Sequence, residues 1–220
     1  MLNKSRGNMY GWITHTWNPI RGKCPHDCSY CYMKRFKVGE LRLDEKSLKD
    51  DLGKGNTIFV GSSCDMFANA IPEDWILETL ATCVKYPKNK YLFQSKNPER
   101  MCELKYVIPK GSVLGTTIET NRDYKISVAP SVKDRAFFLG HLGTVDGFQT
   151  MVTIEPIMDF DLNELIWLMR VAHPSWVNIG ADSKGHNLPE PSSEKVDTLI
   201  KELTKFTEVR VKNNLKRLKK

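Results

Sequence analysis

No uncharged apolar run in the sequence approaches the roughly 18 residues that a membrane-spanning helix requires, and the opening MLNKSRGNMYGW lacks the long apolar stretch of a secretory leader. A cytoplasmic protein with no membrane partner is therefore expected. Cysteine is sparse, six in 220 residues, and a reducing compartment disfavours disulfides among them. A structural zinc site usually draws two ligand pairs from separate turns. Beyond Cys24, Cys28 and Cys31 there is no second Cys pair or His pair, and no cysteine-rich extension that could carry auxiliary clusters.

The composition, 40% hydrophobic and 27% charged, is that of a globular protein. The length suits one domain spanning 1–220 with a sizeable core. The net charge of +7 is concentrated in two places. One is the tail 212–220, with Lys212, Lys216, Arg217, Lys219 and Lys220. The other flanks the cysteines in the loop 18–37, where Arg21, Lys23, Lys34, Arg35 and Lys37 face only Asp27. Basic residues so placed attract an anionic substrate such as nucleic acid or a nucleotide.

Short β-rich runs alternate with helical patterns. Strands are expected at 56–63, 90–96, 112–119, 148–156, 176–182 and 208–214, with a weaker one at 11–18, each bounded by Gly, Pro, Asn or Asp. Pro72 opens a helix with two acids in its first turn, and Asn97-Pro98 opens another over 98–107. Further helices are expected at 132–142 and 161–172. Ser193 is positioned to cap a last one, whose Val196, Leu199, Ile200, Leu203 and Phe206 follow the helical period. Such alternation predicts a parallel sheet, open or curved into a complete or partial barrel. Two strands end alike, TTIET and VTIEP, so that Thr117 with Glu119, and Thr153 with Glu155, share a face. In barrel enzymes that end of the strands carries the active site. Cys83 lies on an apolar helical stripe and reads as a core residue, as do Trp12, Trp75, Trp167 and Trp176, whereas Trp17 and Asn18 are expected to shape a cavity beside the cysteines.

Thiolates bind zinc or iron–sulfur clusters. With His26 or His15 as a fourth ligand, the three cysteines could close a zinc site. The spacing C-x3-C-x2-C also suits three corners of a [4Fe–4S] cube, leaving its fourth iron open to substrate or cofactor. That spacing, with Tyr30 before the last cysteine, resembles the signature of the radical S-adenosylmethionine (SAM) superfamily. Together with FVGSSCDMF, PEDWI, SKNPERM, LGTTIE, VTIEP and NIGADS it is similar to a phage- and prokaryote-associated radical SAM family of unknown function, distantly like spore photoproduct lyase.

The resemblance implies a partial (β/α)6 TIM-like barrel, with a [4Fe–4S] cluster on Cys24, Cys28 and Cys31 at the C-terminal ends of the strands. It also implies S-adenosylmethionine as cofactor and an electron donor such as flavodoxin or ferredoxin. The superfamily commonly receives the SAM amino group on a Gly-Gly-Glu stretch; here GSSCD stands in that place, so Ser62, Ser63 and Asp65 become the expected acceptors. Thr117 or Glu119 suits the ribose. Glu155 suits cofactor or substrate, or an ion pair with a lysine of a neighbouring strand. Gln94, Ser95, Lys96, Lys212 and Asn213 are expected on the same rim, as contacts for substrate or the SAM carboxylate. Cys64 and Cys102 are not expected as cluster ligands. The substrate expected first is DNA, RNA or a nucleotide. A peptide or small molecule, or a non-catalytic metal-stabilised nucleic-acid-binding role, are the alternatives.

Overall fold

A computed structural model describes residues 1–5 and 10–218; Lys219 and Lys220, the end of the basic tail, lie outside the described residues. Ten strands occur among them: β1 (Asn3–Lys4), β2 (His15–Trp17), β3 (Ile20–Arg21), β4 (Arg42–Leu43), β5 (Thr57–Val60), β6 (Lys90–Gln94), β7 (Val113–Thr117), β8 (Gln149–Ile154), β9 (Trp176–Ile179) and β10 (Glu208–Val211). Five α-helices follow β5 to β9 in turn: α1 (Glu73–Val84), α2 (Pro98–Glu103), α3 (Val132–Thr144), α4 (Leu162–Ala172) and α5 (Ser193–Leu203). Eight strands form one sheet in the order β1-β2-β5-β6-β7-β8-β9-β10. Only β1 runs antiparallel to its neighbour. The sheet is open, a partial barrel of the expected kind, in which β2 precedes the six strands of the alternating series. The short antiparallel pair β3–β4 brackets the cysteine loop.

Alternation along the strands sorts the core into two parts. Ile58, Tyr91, Phe93, Leu114, Val152 and Val177 point to the helices and join the larger cluster with Ile76, Leu80, Leu139 and Leu165. Cys83 is buried there, as expected. Leu92, Val113, Met151 and Trp176 point the other way and are covered by Tyr10 and Ile13, with Trp12 and Phe59 alongside. The segment 10–13 therefore packs on the face of the sheet that the helices leave bare. Arg210 stacks over Trp176 at 4.1 Å, and Trp12 meets Trp176 edge-on at 5.8 Å.

Several expectations are corrected. Each strand is shorter than its apolar run, because the last residues of runs such as 56–63 and 112–119 turn out of the sheet into loops. The second helix ends at Glu103 rather than near 107. Ser192, not Ser193, caps α5: its hydroxyl accepts the Lys195 N–H at 3.3 Å. Trp167 is 52% exposed on α4 and is no core residue. Trp17 is fully buried with its indole N–H on Asp50 at 3.1 Å, so it packs in the core and does not shape the cavity described below.

Two carboxylates tie the cysteine loop to this sheet. Glu119, just beyond β7 and 2% exposed, meets Lys96 and the Tyr30 hydroxyl through one oxygen and the Arg135 guanidinium of α3 at 3.1 Å through the other. Arg135 also donates to the Thr117 carbonyl at 3.0 Å and the Pro130 carbonyl at 2.7 Å. Asp65 accepts the Lys96 backbone N–H at 2.7 Å and lies 2.9 Å from the His26 ring. Burial alone would raise the Glu119 carboxyl, but Lys96 and Arg135 outweigh it and hold it at about 2. Lys96 thus serves both anchors, by backbone and by side chain, and His26 and Tyr30 flank Cys28 on either side.

Two tests follow from this packing. Trp176→Ala should cost roughly 3–5 kcal/mol in urea unfolding, while Trp167→Ala should stay within about 0.5 kcal/mol; similar losses at both would contradict the two-faced core. Glu119→Gln leaves buried cations uncompensated and should cost roughly 3–5 kcal/mol near neutral pH. Because the folded carboxyl titrates below its ordinary 4.5, its contribution is complete above that pH and disappears as pH falls towards 2. The stability gap between wild type and variant should therefore close over that window; a gap independent of pH would remove the ionised Glu119 from the anchor.

Candidate active site

The cysteine loop folds through successive tight turns. The Cys24 carbonyl accepts the Asp27 N–H at 3.2 Å, that of Cys28 accepts Cys31 at 3.1 Å, and that of Cys31 accepts Lys34 at 3.0 Å. Gly22 closes the base of the loop at φ 113°, where a β-carbon would lie 2.3 Å from the Glu40 carbonyl oxygen. From the far side, Ile126 and His26 carbonyls accept Ser29 and Val128 N–H groups at 2.7 and 3.0 Å. All three cysteines are unpaired and line one cavity of about 530 Å³. Much of its remaining wall comes from residues at or just beyond strand ends, Gly61–Asp65, Gln94–Lys96, Thr117, Thr153, Glu155 and Ala181–Lys184, so it opens at the C-terminal edge of the parallel sheet.

The thiols differ in character. Cys64, buried and on the same wall, hydrogen-bonds Cys24 and holds that thiol down at about 6, against the opposing effect of burial. The same bond, with burial, pushes Cys64 itself well above the ordinary thiol range. Burial also raises Cys28. Among the described residues, no three His, Cys, Asp or Glu side chains converge as a site for a single metal ion.

The other residues singled out from the sequence separate into two groups. Ser62, Ser63, Asp65, Thr117 and Glu155 line the cavity with Gln94, Ser95, Lys96 and Lys212. Asn18 orders the serine loop: its side-chain oxygen accepts the Ser63 N–H at 2.9 Å, and its amide meets the Ser62 hydroxyl at 3.2 Å. Tyr32 donates to the Ser62 carbonyl at 2.9 Å. Glu119 is off the wall, enclosed by Lys96, Arg135 and Tyr30. Asn213 borders a neighbouring hollow with Lys216 and Arg217. Glu155 makes the ion pair that was one of its two readings: Lys212 donates at 2.6 Å and Asn214 at 2.8 Å. Gly180 permits this approach, since a β-carbon there would come within 2.7 Å of the Glu155 carboxylate.

Tyr10, Asp182 and His186 are among the lining residues that the sequence did not reveal. Tyr10 forms the floor, its hydroxyl bonded to Gln94 at 2.8 Å and Thr153 at 2.7 Å, and Gln94 in turn donates to Thr117 at 3.0 Å. Asp182 and His186 stand beyond β9, with His186 Nδ1 2.7 Å from the Asp182 carboxylate. Asp182 could have been found as an acid at a strand end within NIGADS, whereas Tyr10 lies far from the other lining residues in sequence. Around the cysteine loop, Lys34 pairs with Asp27 at 2.9 Å and Arg21 with Asp44 at 3.3 Å. Lys23, Arg35 and Lys37 are exposed, and Phe36, between the last two in sequence, is 61% exposed. No helix among the described residues is long and apolar enough to cross a membrane.

Solved structures with the same fold include a cysteine-to-alanine variant of spore photoproduct lyase with dinucleoside spore photoproduct, 12% identical at a TM-score of 0.66. They also include a double variant of that enzyme with bound AdoMet and dinucleoside spore photoproduct, 11% identical at 0.67. Each alignment covers 93% of this chain and 78% of the other. No curated protein matches the sequence. A family model does match, over residues 8–190, and the chain accordingly belongs to the family described as "Protein of unknown function (DUF5131)".

Proposed function

We propose that the protein is a radical SAM enzyme acting on a nucleic-acid or nucleotide-derived substrate. The observation that carries this reading is the cysteine loop: three unpaired thiols at C-x3-C-x2-C spacing share one cavity wall at the C-terminal edge of a parallel sheet. Three thiols lining one cavity would occupy three corners of a [4Fe–4S] cube, whose fourth iron would then carry no protein ligand. When bound, such a cluster supplies one-electron reductive cleavage of S-adenosylmethionine, the source of a 5′-deoxyadenosyl radical, with the electron delivered by a donor such as flavodoxin or ferredoxin.

The chain's own residues would then have distinct duties. Cys24, Cys28 and Cys31 would hold the cluster, and the bond from Cys64 lowers the Cys24 thiol towards the thiolate form that binds metal. Ser62, Ser63 and the carbonyls of their loop offer acceptors to the SAM amino group, and Thr117 a hydroxyl to its ribose. The Glu155–Lys212 pair presents both charges to the cavity wall. The buried anchors of His26 and Tyr30 keep the loop in place when the cavity fills. Exposed Lys23, Arg35 and Lys37, with exposed Phe36 between the last two, suit a phosphate backbone and an unstacked base, and the dinucleoside bound by the structural relatives supports the same substrate class.

The test is anaerobic. Wild-type protein reconstituted with iron and sulfide should bind about four irons per chain and release 5′-deoxyadenosine from SAM and dithionite, read by chromatography. Cys24→Ala, Cys28→Ala and Cys31→Ala should each lose the iron and the product while unfolding at near wild-type denaturant concentrations. Cys102→Ala should keep both. A wild type that retains zinc and leaves SAM intact, or global unfolding of all three variants, would make the cysteines a structural metal site.

A further inference from the structure

We propose that His186, held by Asp182, is a catalytic proton acceptor that meets an N–H or O–H group of a nucleoside-derived substrate in this cavity. The inference takes from the proposed function only that such a substrate enters here.

Asp182 follows β9, and its side chain is almost fully buried. Its carboxylate accepts three hydrogen bonds from the turn it closes: the Lys184 N–H at 3.0 Å, the His186 N–H at 2.6 Å and His186 Nδ1 at 2.7 Å. Its backbone carbonyl is held by the Arg217 guanidinium at 2.9 Å. Burial would raise the Asp182 carboxyl, but the bonds from His186 outweigh it and keep the group below the usual carboxylate range. An ionised carboxylate can only accept. Nδ1 therefore carries a proton, and in the neutral ring the lone pair lies on Nε2.

The neighbours leave that nitrogen distinct. The Tyr10 hydroxyl is committed to Gln94 and Thr153, Lys96 to Glu119, Asp65 to His26, and Glu155 to Lys212 and Asn214. His186 Nε2 has no protein partner among the described residues, and the side chain, 22% exposed, lines the cavity. Rings of Tyr32 and Phe59 border the same space, surfaces on which a planar base can stack. Imides of such bases and hydroxyls of their sugars are the neutral donors that an imidazole lone pair accepts.

In the step proposed, the substrate's N–H or O–H bond breaks with its electron pair remaining on the substrate, and an Nε2–H bond forms. The imidazolium produced faces the Asp182 carboxylate, which stabilises it as the charge appears. No oxidant or reductant is required, and the reverse transfer returns the proton. Asp182 is a positioning residue: it sets the tautomer and never touches substrate.

The test uses the full wild-type chain in mildly alkaline buffer. Nitrogen-15 histidine spectra should show His186 as the Nδ1–H tautomer, and Asp182→Asn should release it to a mixture with Nε2–H. Acylation of His186 by diethyl pyrocarbonate, followed by mass spectrometry, should slow at least about tenfold with saturating thymidylyl-thymidine, as exclusion by a bound ligand demands. An Nε2–H tautomer in the wild type overturns the proposal, and so does an acylation rate indifferent to the dinucleoside. Both wild-type measurements stand whether or not the variant folds. Neither depends on SAM cleavage: shielding of His186 in a protein that leaves SAM intact would remove the radical reading and keep this one.

Discussion

A carboxylate taken out of water must find cations and donors or give up its charge, and Glu119 satisfies this by drawing together parts of the chain that are distant in sequence. Lys96 comes from the end of β6, Arg135 from α3, and Tyr30 from the cysteine loop itself. The loop has little apolar surface with which to pack: Cys28 and His26 are buried, while Lys23, Ser29 and the run from Lys34 to Lys37 are exposed. Its position on the sheet is therefore set chiefly by polar contacts at Tyr30 and His26, reinforced by the backbone bonds to Ile126 and Val128. These contacts flank Cys28 and leave the three thiols on the lining of the cavity. Conformational freedom of the loop is spent in folding rather than when a ligand arrives.

Below this wall the interior of the sheet is layered. The segment 10–13 fills the end of the concave face near Val113, Met151 and Trp176 with aromatic and aliphatic bulk. Tyr10 then turns its hydroxyl to Gln94 and Thr153, and Gln94 passes the chain of hydrogen bonds to Thr117. A fully satisfied polar layer over an apolar plug gives the cavity a rigid floor, since each member of the network constrains the next. The depth of the cavity is thus determined by an N-terminal segment outside the βα repeat.

That arrangement explains which parts were legible beforehand. Strand and helix alternation, capped by Pro72 and Asn97-Pro98, reports local periodicity, and the parallel sheet followed from it; the misses lie at ends such as Ser192 and in the two-residue strands β1, β3 and β4, too short to carry a period. The cysteine spacing was legible because all three thiols lie on one short loop. The tyrosine floor was not, because nothing in MYGW reveals which face of which sheet it will cover. The Asp182–His186 pair was half legible: an acid at a strand end is visible in NIGADS, but the tight turn that brings His186 back onto it is tertiary detail. Trp167 misled because its neighbours on α4 are apolar, yet its own position points to solvent.

The paired endings TTIET and VTIEP show the limit most clearly. Both place a glutamate just beyond a parallel strand, two residues after a threonine that lines the cavity. Their surroundings then diverge. Next to Glu119 stand α3, with Arg135, and the cysteine loop, with Tyr30, so the carboxylate is enclosed and becomes structural. Next to Glu155 stands Gly180, whose missing side chain leaves room for Asn214 and Lys212 to reach the carboxylate from one side while the other remains on the cavity wall. Position on a strand is encoded locally, but whether an acid becomes an anchor or part of a site depends on what the neighbouring strand and helix bring to it. The same rule separates the lysines: Lys96 and Lys212 both end strands and both pair with a glutamate, yet one partner is sealed by a guanidinium and the other faces open space.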